Sequence, residues 1–401
     1  MVPQETNLQK TNLSTTQLAL WVCAQTKRIP VLLWGIPGSG KTSHVDAAAE
    51  ELNMWLETVI LSIREPSDMA GLPVVSKAGL AQLVRLMDCL RKGEEWTEEE
   101  EITGGVVLAP PKWAVNLVAA KLRGDDVLLF LDELADAAPS VQAAALRVVL
   151  DHVVGDLTVG SLSIVAAANR GRGWDLTSAL ANRFCHLEWE PKLSDYIANR
   201  GREWPRPIIP RLPKNWEKGV GEIMIRQDAF LLRTPLHGPK EPEEEARRSG
   251  PWVSQRTIDM AAYGDAAAQA VGADKAVRRA IYNGLVGPEF TRAFFEYEVF
   301  EDLPDPREVL KAGRLVLMDR KDKNYVALRS VVSLVKDEPT AKHWEQAWKV
   351  VASVAEQKEE EVFMMVARHL EKIPKPRGAK RDYELLARYY PVLVAAGKEG
   401  V

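Results

Sequence analysis

The stretch VLLWGIPGSGKTSHV, residues 31–45, constrains this chain more than any other: an apolar run stops at Gly35 and gives way to Gly-Ile-Pro-Gly-Ser-Gly-Lys-Thr. Residues Gly35–Thr42 fit GxxxxGK[ST], the phosphate-binding loop. In such a loop the glycines let backbone N–H groups turn inward around a β-phosphate, and the following helix offers its positive end. Lys41 is then placed to reach the β and γ oxygens, and the Thr42 hydroxyl to ligate Mg²⁺. The candidate nucleotide-binding residues are therefore Gly35, Ile36, Pro37, Gly38, Ser39, Gly40, Lys41, Thr42 and Ser43. A flexible glycine-rich turn is the plain alternative. The context argues against it, because the loop follows an apolar, β-branched strand and opens a helix.

The surroundings read as a parallel α/β sheet. Leu13–Arg28 has helical spacing behind a Ser14/Thr15 cap signal, residues 42–53 read as a helix, and WLETVILSI (55–63) alternates into a second strand. DDVLLFLDE (125–133) and SLSIVAAANR (161–170) are buried strands with a helix, APSVQAAALRVVLDHV (138–153), between them. One layout recurs three times: an apolar strand, then a polar residue at its carboxyl end. The run GEEWTEEEE (93–101) reads as a solvated surface insertion without chemistry.

Beyond Pro191 the texture changes. WPRPIIPRLPKN (204–215) and PKEPEEEARRSGP (239–251) are irregular and rich in proline or charge, whereas 253–271, 274–286 and 291–300 are helical in pattern. EDLPDPREVL (301–310) reads as another proline-broken connection. Asn324–Leu334 puts Tyr325, Val326, Leu328, Val331 and Val332 on one helical face, although RLVLMDRKDKNYVAL also suits a hairpin.

At 401 residues the chain exceeds what one core usually organises, so two or three domains are expected. Lys plus Arg number 52 against 56 for Asp plus Glu, a formal net charge of −4, so no global basic field draws in nucleic acid. No apolar run approaches the roughly 20 residues that span a bilayer, and nothing at the N-terminus marks secretion, so a cytoplasmic location is expected. Cys23, Cys89 and Cys185 form no CxxC and read as reduced, buried small residues.

Asp132 ends its strand some 90 residues after the loop, where a carboxylate holding Mg²⁺ belongs, and Glu133 follows at once. Neighbouring side chains at a strand end point in different directions, so Asp132 can face the metal while Glu133 faces an attacking water as general base. Solvation of a sheet edge is the bland reading of such a pair. The phosphate loop upstream favours the functional one.

GIPGSGKT, FLDEL, AAANR and ALANRF, in this order, resemble the AAA+ ATPases. SDMAGLP (67–73), LDEL…VQAAALRVVLDHVVG and LANRF before CHLEW are similar to the MoxR branch, in the helix-2-insert clade with magnesium chelatase and the dynein-related ATPases. The resemblance covers residues 28–190, extends loosely to about 310, and leaves the last 90 residues unmatched. It implies an α/β P-loop NTPase core with a five-stranded parallel sheet (1–190), a helical lid (191–310) and a helical extension (311–401). It also implies ATP and Mg²⁺ as cofactors and a homo-oligomer, a hexameric ring or spiral, that remodels a client, such as a partner with a von Willebrand factor A domain.

By position, the resemblance assigns Asn169 to sensor 1, Arg183 to the arginine finger acting on a neighbouring subunit, and Arg256 to sensor 2 on the lid. The competing readings are an Asx turn for Asn169, Arg170 or Arg172 as the finger, and a helix-surface arginine for Arg256. His44 and Trp34 read as packing residues. No NKxD guanine signature is present, which favours ATP over GTP, and a protein client is favoured over a chelatase or DNA-moving role. A nucleotide-dependent scaffold is the non-motor alternative, against which the joint presence of Glu133, Asn169 and Arg183 argues.

Overall fold

The computed structural model describes residues 11–92, 105–171, 175–200, 204–297, 303–357 and 359–380. The acidic run 93–101, Arg172, the Cys89 side chain and residues 381–401 lie outside the described residues.

In chain order the elements are α1 (Thr15–Gln25), β1 (Val31–Gly35), α2 (Lys41–Leu52), β2 (Met54–Ile60), α3 (Pro66–Ala70), β3 (Leu72–Val75), α4 (Lys77–Lys92), β4 (Val106–Ala109), α5 (Lys112–Leu122), β5 (Asp126–Asp132) and α6 (Pro139–Asp151). Then come β6 (Val153–Val154), β7 (Leu157–Thr158), β8 (Ser163–Asn169), α7 (Ser178–Ala181), β9 (Cys185–Glu188), α8 (Leu193–Asn199) and α9 (Val220–Arg233). The chain continues through α10 (Glu245–Arg248), α11 (Gln255–Ala270), α12 (Lys275–Val286), α13 (Pro288–Glu296), α14 (Pro306–Ala312), α15 (Lys321–Asp337), α16 (Ala341–Glu356) and α17 (Glu360–Glu371).

The chain divides into two compact units, Met1–Gly219 with Pro239–Thr291, and Val220–Gly238 with Arg292–Val401. These units are drawn differently from the sequence divisions at 190 and 310. Inside the first unit, α11 and α12 pack against α1, and α12 lies on β9, where the Cys185 thiol meets the Ile281 carbonyl at 3.7 Å. Inside the second, α9 packs along α15.

The first unit is built on a five-stranded sheet of order β2-β5-β8-β1-β9 in which every pairing is parallel. Its central strands are apolar without alternation because both faces are covered: Val127–Leu131 of β5 and Ser163–Ala168 of β8 are buried throughout. Each fully buried Leu, Val or Phe here contributes about 1.5–3 kcal/mol relative to exposure. Parallel strands put all their carboxyl ends at one edge, and β5, β8 and β1 are neighbours, so Asp132, Asn169 and the loop after Gly35 converge there. Between β2 and β5 stands an insertion not foreseen in detail from sequence, the antiparallel hairpin β3–β4 with α4 between its strands. The proline-rich 204–213 segment runs without regular structure over α1 and α2, held by Gln25 Nε2 to the Pro210 carbonyl at 2.9 Å and by Arg211 to the Leu52 and Glu51 carbonyls, each at 3.0 Å.

In the second unit the described residues are helical; one sequence expectation resolves differently and one open alternative is decided. Residues 306–312 form α14 rather than a plain connection, because Pro306 occupies the first helical position and Asp305 caps it. Lys321–Asp337 is a single helix, which displaces the hairpin alternative. Its buried polar residues are paired: Asp322 accepts from Tyr297 and Arg320, and Tyr325 donates to Asp228 at 2.6 Å. Among the described residues no helix is long and apolar enough to cross a membrane.

Candidate functional site

The loop between β1 and α2 adopts its shape because Gly38 and Gly40 sit at φ +72° and +81°, the left-handed region that other residues enter at a cost. Helix α2 then begins at Lys41 with no side chain capping it and no acidic residue in its first turn. Its first N–H groups and positive dipole end are left for an anion. Lys41, only 8% exposed, folds back over the loop, donating to the Gly35 carbonyl at 3.1 Å, the Ile36 carbonyl at 3.0 Å and Asn169 Oδ1 at 3.2 Å. Burial pulls its ammonium pKa below the ordinary lysine value, with Asp132 and Asp136 pulling the other way.

The carboxyl end of β5 supplies the acids. The Thr42 hydroxyl donates to Asp132 Oδ2 at 3.0 Å, so the loop and β5 present two hard oxygen ligands side by side. That pair suits Mg²⁺, which takes one or two protein oxygens and keeps the rest of its shell for water and phosphate. Glu133 turns away from Asp132 because its own backbone is left-handed at φ +58°, a conformation uncommon outside glycine. Its N–H donates to Asp132 Oδ1 at 2.9 Å, and its carboxylate accepts from the Ser62 hydroxyl beyond the end of β2. Asn169 closes β8 opposite Gly35 in the β1–β8 register and bridges two charges, accepting from Lys41 and donating to Asp136 Oδ2 at 3.2 Å.

Lys41, Thr42, Asp132, Glu133 and Asn169 thus meet at one sheet edge, together with Ser62 and Asp136, which the sequence reading passed over. Both carried a signal. Asp136 lies in the same LDELAD stretch as Asp132, and Ser62 is a polar residue two positions beyond the end of β2.

Residues 31–190 match the family model of the ATPase family associated with various cellular activities (AAA). Over those residues the chain is similar to an AAA ATPase domain. No curated protein matches the chain. The matched residues contain every one of the converging groups.

Arg183 and Arg256 stand elsewhere. Arg183 precedes β9, whose first residue Cys185 pairs with Val31 at the start of β1. It lies at the opposite edge of the sheet from the phosphate loop, at least the length of β1 away, about 13 Å. Its guanidinium donates to the Ala179 carbonyl, and its Nε is buried without a partner. Burial lowers its pKa, and the charge of Arg256 lowers it further, against an opposing pull from Asp151. Arg256 is exposed at the start of α11, a helix anchored to the same place by Ser254 donating to Asn182 Oδ1 at 2.7 Å. It lines an open cleft of about 760 Å³ with Arg28, Asn182, Trp252 and Tyr263, and no phosphate-loop residue contributes to that cleft. Arg170 is committed to Glu188 and stacked over Trp34 at 5.1 Å, which removes it as a free cation.

His44 and Trp34 pack, each within a Trp–His pair. Trp21 Nε1 donates to His44 Nε2 at 2.9 Å, and Trp34 Nε1 donates to His186 Nδ1 at 2.9 Å while His186 Nε2 faces the Ala181 carbonyl at 2.8 Å. Burial lowers both imidazoles to about 4, so both are neutral acceptors at neutral pH.

Proposed function

We propose that this protein hydrolyses Mg-ATP at junctions between copies of itself and uses the cycle to remodel a partner protein, in the manner of MoxR-like ATPases. The supporting observation is a division of labour across the sheet: every group suited to binding and activating lies at the carboxyl edge, while the unpaired cations Arg183 and Arg256 lie at the amino edge. Arg183, whose buried Nε has no partner among the described residues and whose charge is felt by Arg256, suits an anion, and the chain's own phosphate loop is on the far side. A neighbouring copy's γ-phosphate supplies one. In this reading Lys41 and the α2 N-terminus hold the phosphates, Thr42 and Asp132 hold Mg²⁺, Asn169 orients the water, and Glu133 takes its proton. Thr42 and Asp132 would hold the ion, which would supply Lewis-acid stabilisation of developing charge.

The MoxR assignment rests on SDMAGLP, which leads into the β3–α4–β4 insertion, on LDEL…VQAAALRVVLDHVVG and on LANRF before CHLEW, and carries with it a hexameric ring or spiral and a von Willebrand factor A partner. The test measures ATP and GTP turnover against protein concentration, with molar mass from light scattering in the same samples. Turnover per subunit rises with nucleotide-dependent assembly and favours ATP; a flat rate in a persistent monomer overturns the junction mechanism.

Glu133→Gln is expected to bind Mg-ATP as the parent does and to lose about 10²- to 10⁴-fold in turnover, the range of a general base. The amide still accepts from Ser62, so the loss reports chemistry rather than rearrangement. Equilibrium binding with a fluorescent nucleotide beside single-turnover hydrolysis checks it, and parental turnover removes Glu133 from the role.

A further inference from the structure

The residue that follows β9 grips the phosphate loop at both ends. Trp189 N–H donates to the Trp34 carbonyl at 2.6 Å, extending the β1–β9 ladder to the foot of the loop. Its carbonyl oxygen and Cβ would lie 2.9 and 3.1 Å from a Cβ placed on Gly35, so the first glycine of the motif is required here by Trp189 as well as by the loop. At the other end its indole Nε1 donates to the Ser39 carbonyl at 2.9 Å. The ring, 7% exposed, packs on His44 of α2 with centroids 4.8 Å apart.

A peptide unit is planar and trans, so its C=O and N–H point in opposite directions. Anchoring the Ser39 carbonyl on Trp189 therefore turns the Gly40 N–H away from Trp189. Gly40, left-handed at φ +81°, is the residue whose N–H leads into α2, and a glycine at that position has few steric restraints of its own.

We infer that Trp189 is a positioning residue for the phosphate loop: its indole N–H sets the Ser39–Gly40 peptide so that the Gly40 N–H is presented to phosphate. This deepens the nucleotide-binding reading of the loop and rests on it. Trp189 itself touches no nucleotide. Arg183 stands just before β9 and Trp189 just after it, so this short strand joins the arginine offered to a neighbour to the support of this subunit's own loop.

Trp189→Phe removes the N–H while keeping a ring against His44. Trp21→Phe removes an N–H from the far side of the same cluster, where it serves only His44, and is the packing control. Binding of Mg-ATP, Mg-ADP and adenosine is measured by calorimetry on the full chain, beside melting temperature and the KM-against-kcat split. Trp189→Phe weakens Mg-ATP and Mg-ADP by about three- to tenfold, the value of one lost hydrogen bond. Adenosine is unaffected, KM rises, and kcat falls little. Trp21→Phe lowers the melting temperature without changing nucleotide affinity. Parental Mg-ATP affinity in Trp189→Phe overturns the inference, as does equal weakening by both variants, which would make Trp189 ordinary packing. A parental protein that binds no nucleotide would defeat the reading of the loop itself, and this inference with it.

Discussion

Arg183→Ala is expected to bind Mg-ATP normally and to lose about 10³- to 10⁵-fold in turnover, the contribution of a cation that meets transition-state charge only at the junction. The geometry makes the expectation specific. Arg183 is separated from its own loop by the length of β1, and its buried Nε has no partner inside the subunit. Removing it relieves repulsion with Arg256 but also loses the Ala179 carbonyl contact and the pull of Asp151, so the melting temperature should change little. Mixing Arg183→Ala with Lys41→Ala provides the decisive measurement. Each is inactive alone, but a mixed oligomer contains junctions that pair an intact loop with an intact arginine, and part of the activity returns. No recovery under conditions where mixed oligomers form, shown by mass, places Arg183 outside the chemistry.

Acid is expected to unfold the sheet-bearing unit well above the carboxylate range. His44 and His186 titrate near 6.5 in an unfolded chain and at about 4 in the fold, because burial disfavours the charged ring. Between those values the unfolded state binds more protons, so stability rises with pH through the window. It is fully present above about 6.5 and is lost as pH falls towards 4. A fall of about 2.5 pH units at about 1.4 kcal/mol each bounds the loss near 3.5 kcal/mol per histidine. Together they remove a large part of the 5–15 kcal/mol typical of a domain. Asp46 and Asp228 are raised by burial and act with the opposite sign at the lower end, but Asp46 is exposed and Asp228 is relieved by the Tyr325 hydroxyl. Guanidinium unfolding at pH 4 to 7.5 measures the effect. His186→Gln removes one titration, so its stability should depend less steeply on pH whatever its value at neutrality; an unchanged slope would refute the buried-neutral assignment.

Most of the nucleotide edge was legible in the chain because its groups act within a few residues of one another. Gly38 and Gly40 are needed for local backbone conformation, Lys41 and Thr42 follow at once on α2, and Asp132 and Glu133 end one uninterrupted apolar strand. A strand buried on both faces reads as a continuous run, so β1, β5 and β8 could each be recognised with its polar terminator. The α14 helix was missed because Pro306 resembles a breaker until Asp305 is seen to cap it. The β3–β4 hairpin is four residues per strand and half-exposed, too short for periodicity to declare.

What the sequence by itself determined was the phosphate loop, the acidic strand end, the Asn169 terminator and the α/β class, all written in neighbouring residues and in hydropathy. The tertiary structure alone decided the company they keep. Strand order β2-β5-β8-β1-β9 brings Ser62 to Glu133, Asn169 to Lys41 and Trp189 to Ser39. The docking of α11 beside Asn182 sets Arg256 next to Arg183 at the edge away from the loop. The reason is that spacing along a chain specifies local conformation, whereas the pairing of strands distant in sequence is settled by which apolar faces bury one another, and only that pairing fixes which polar ends meet.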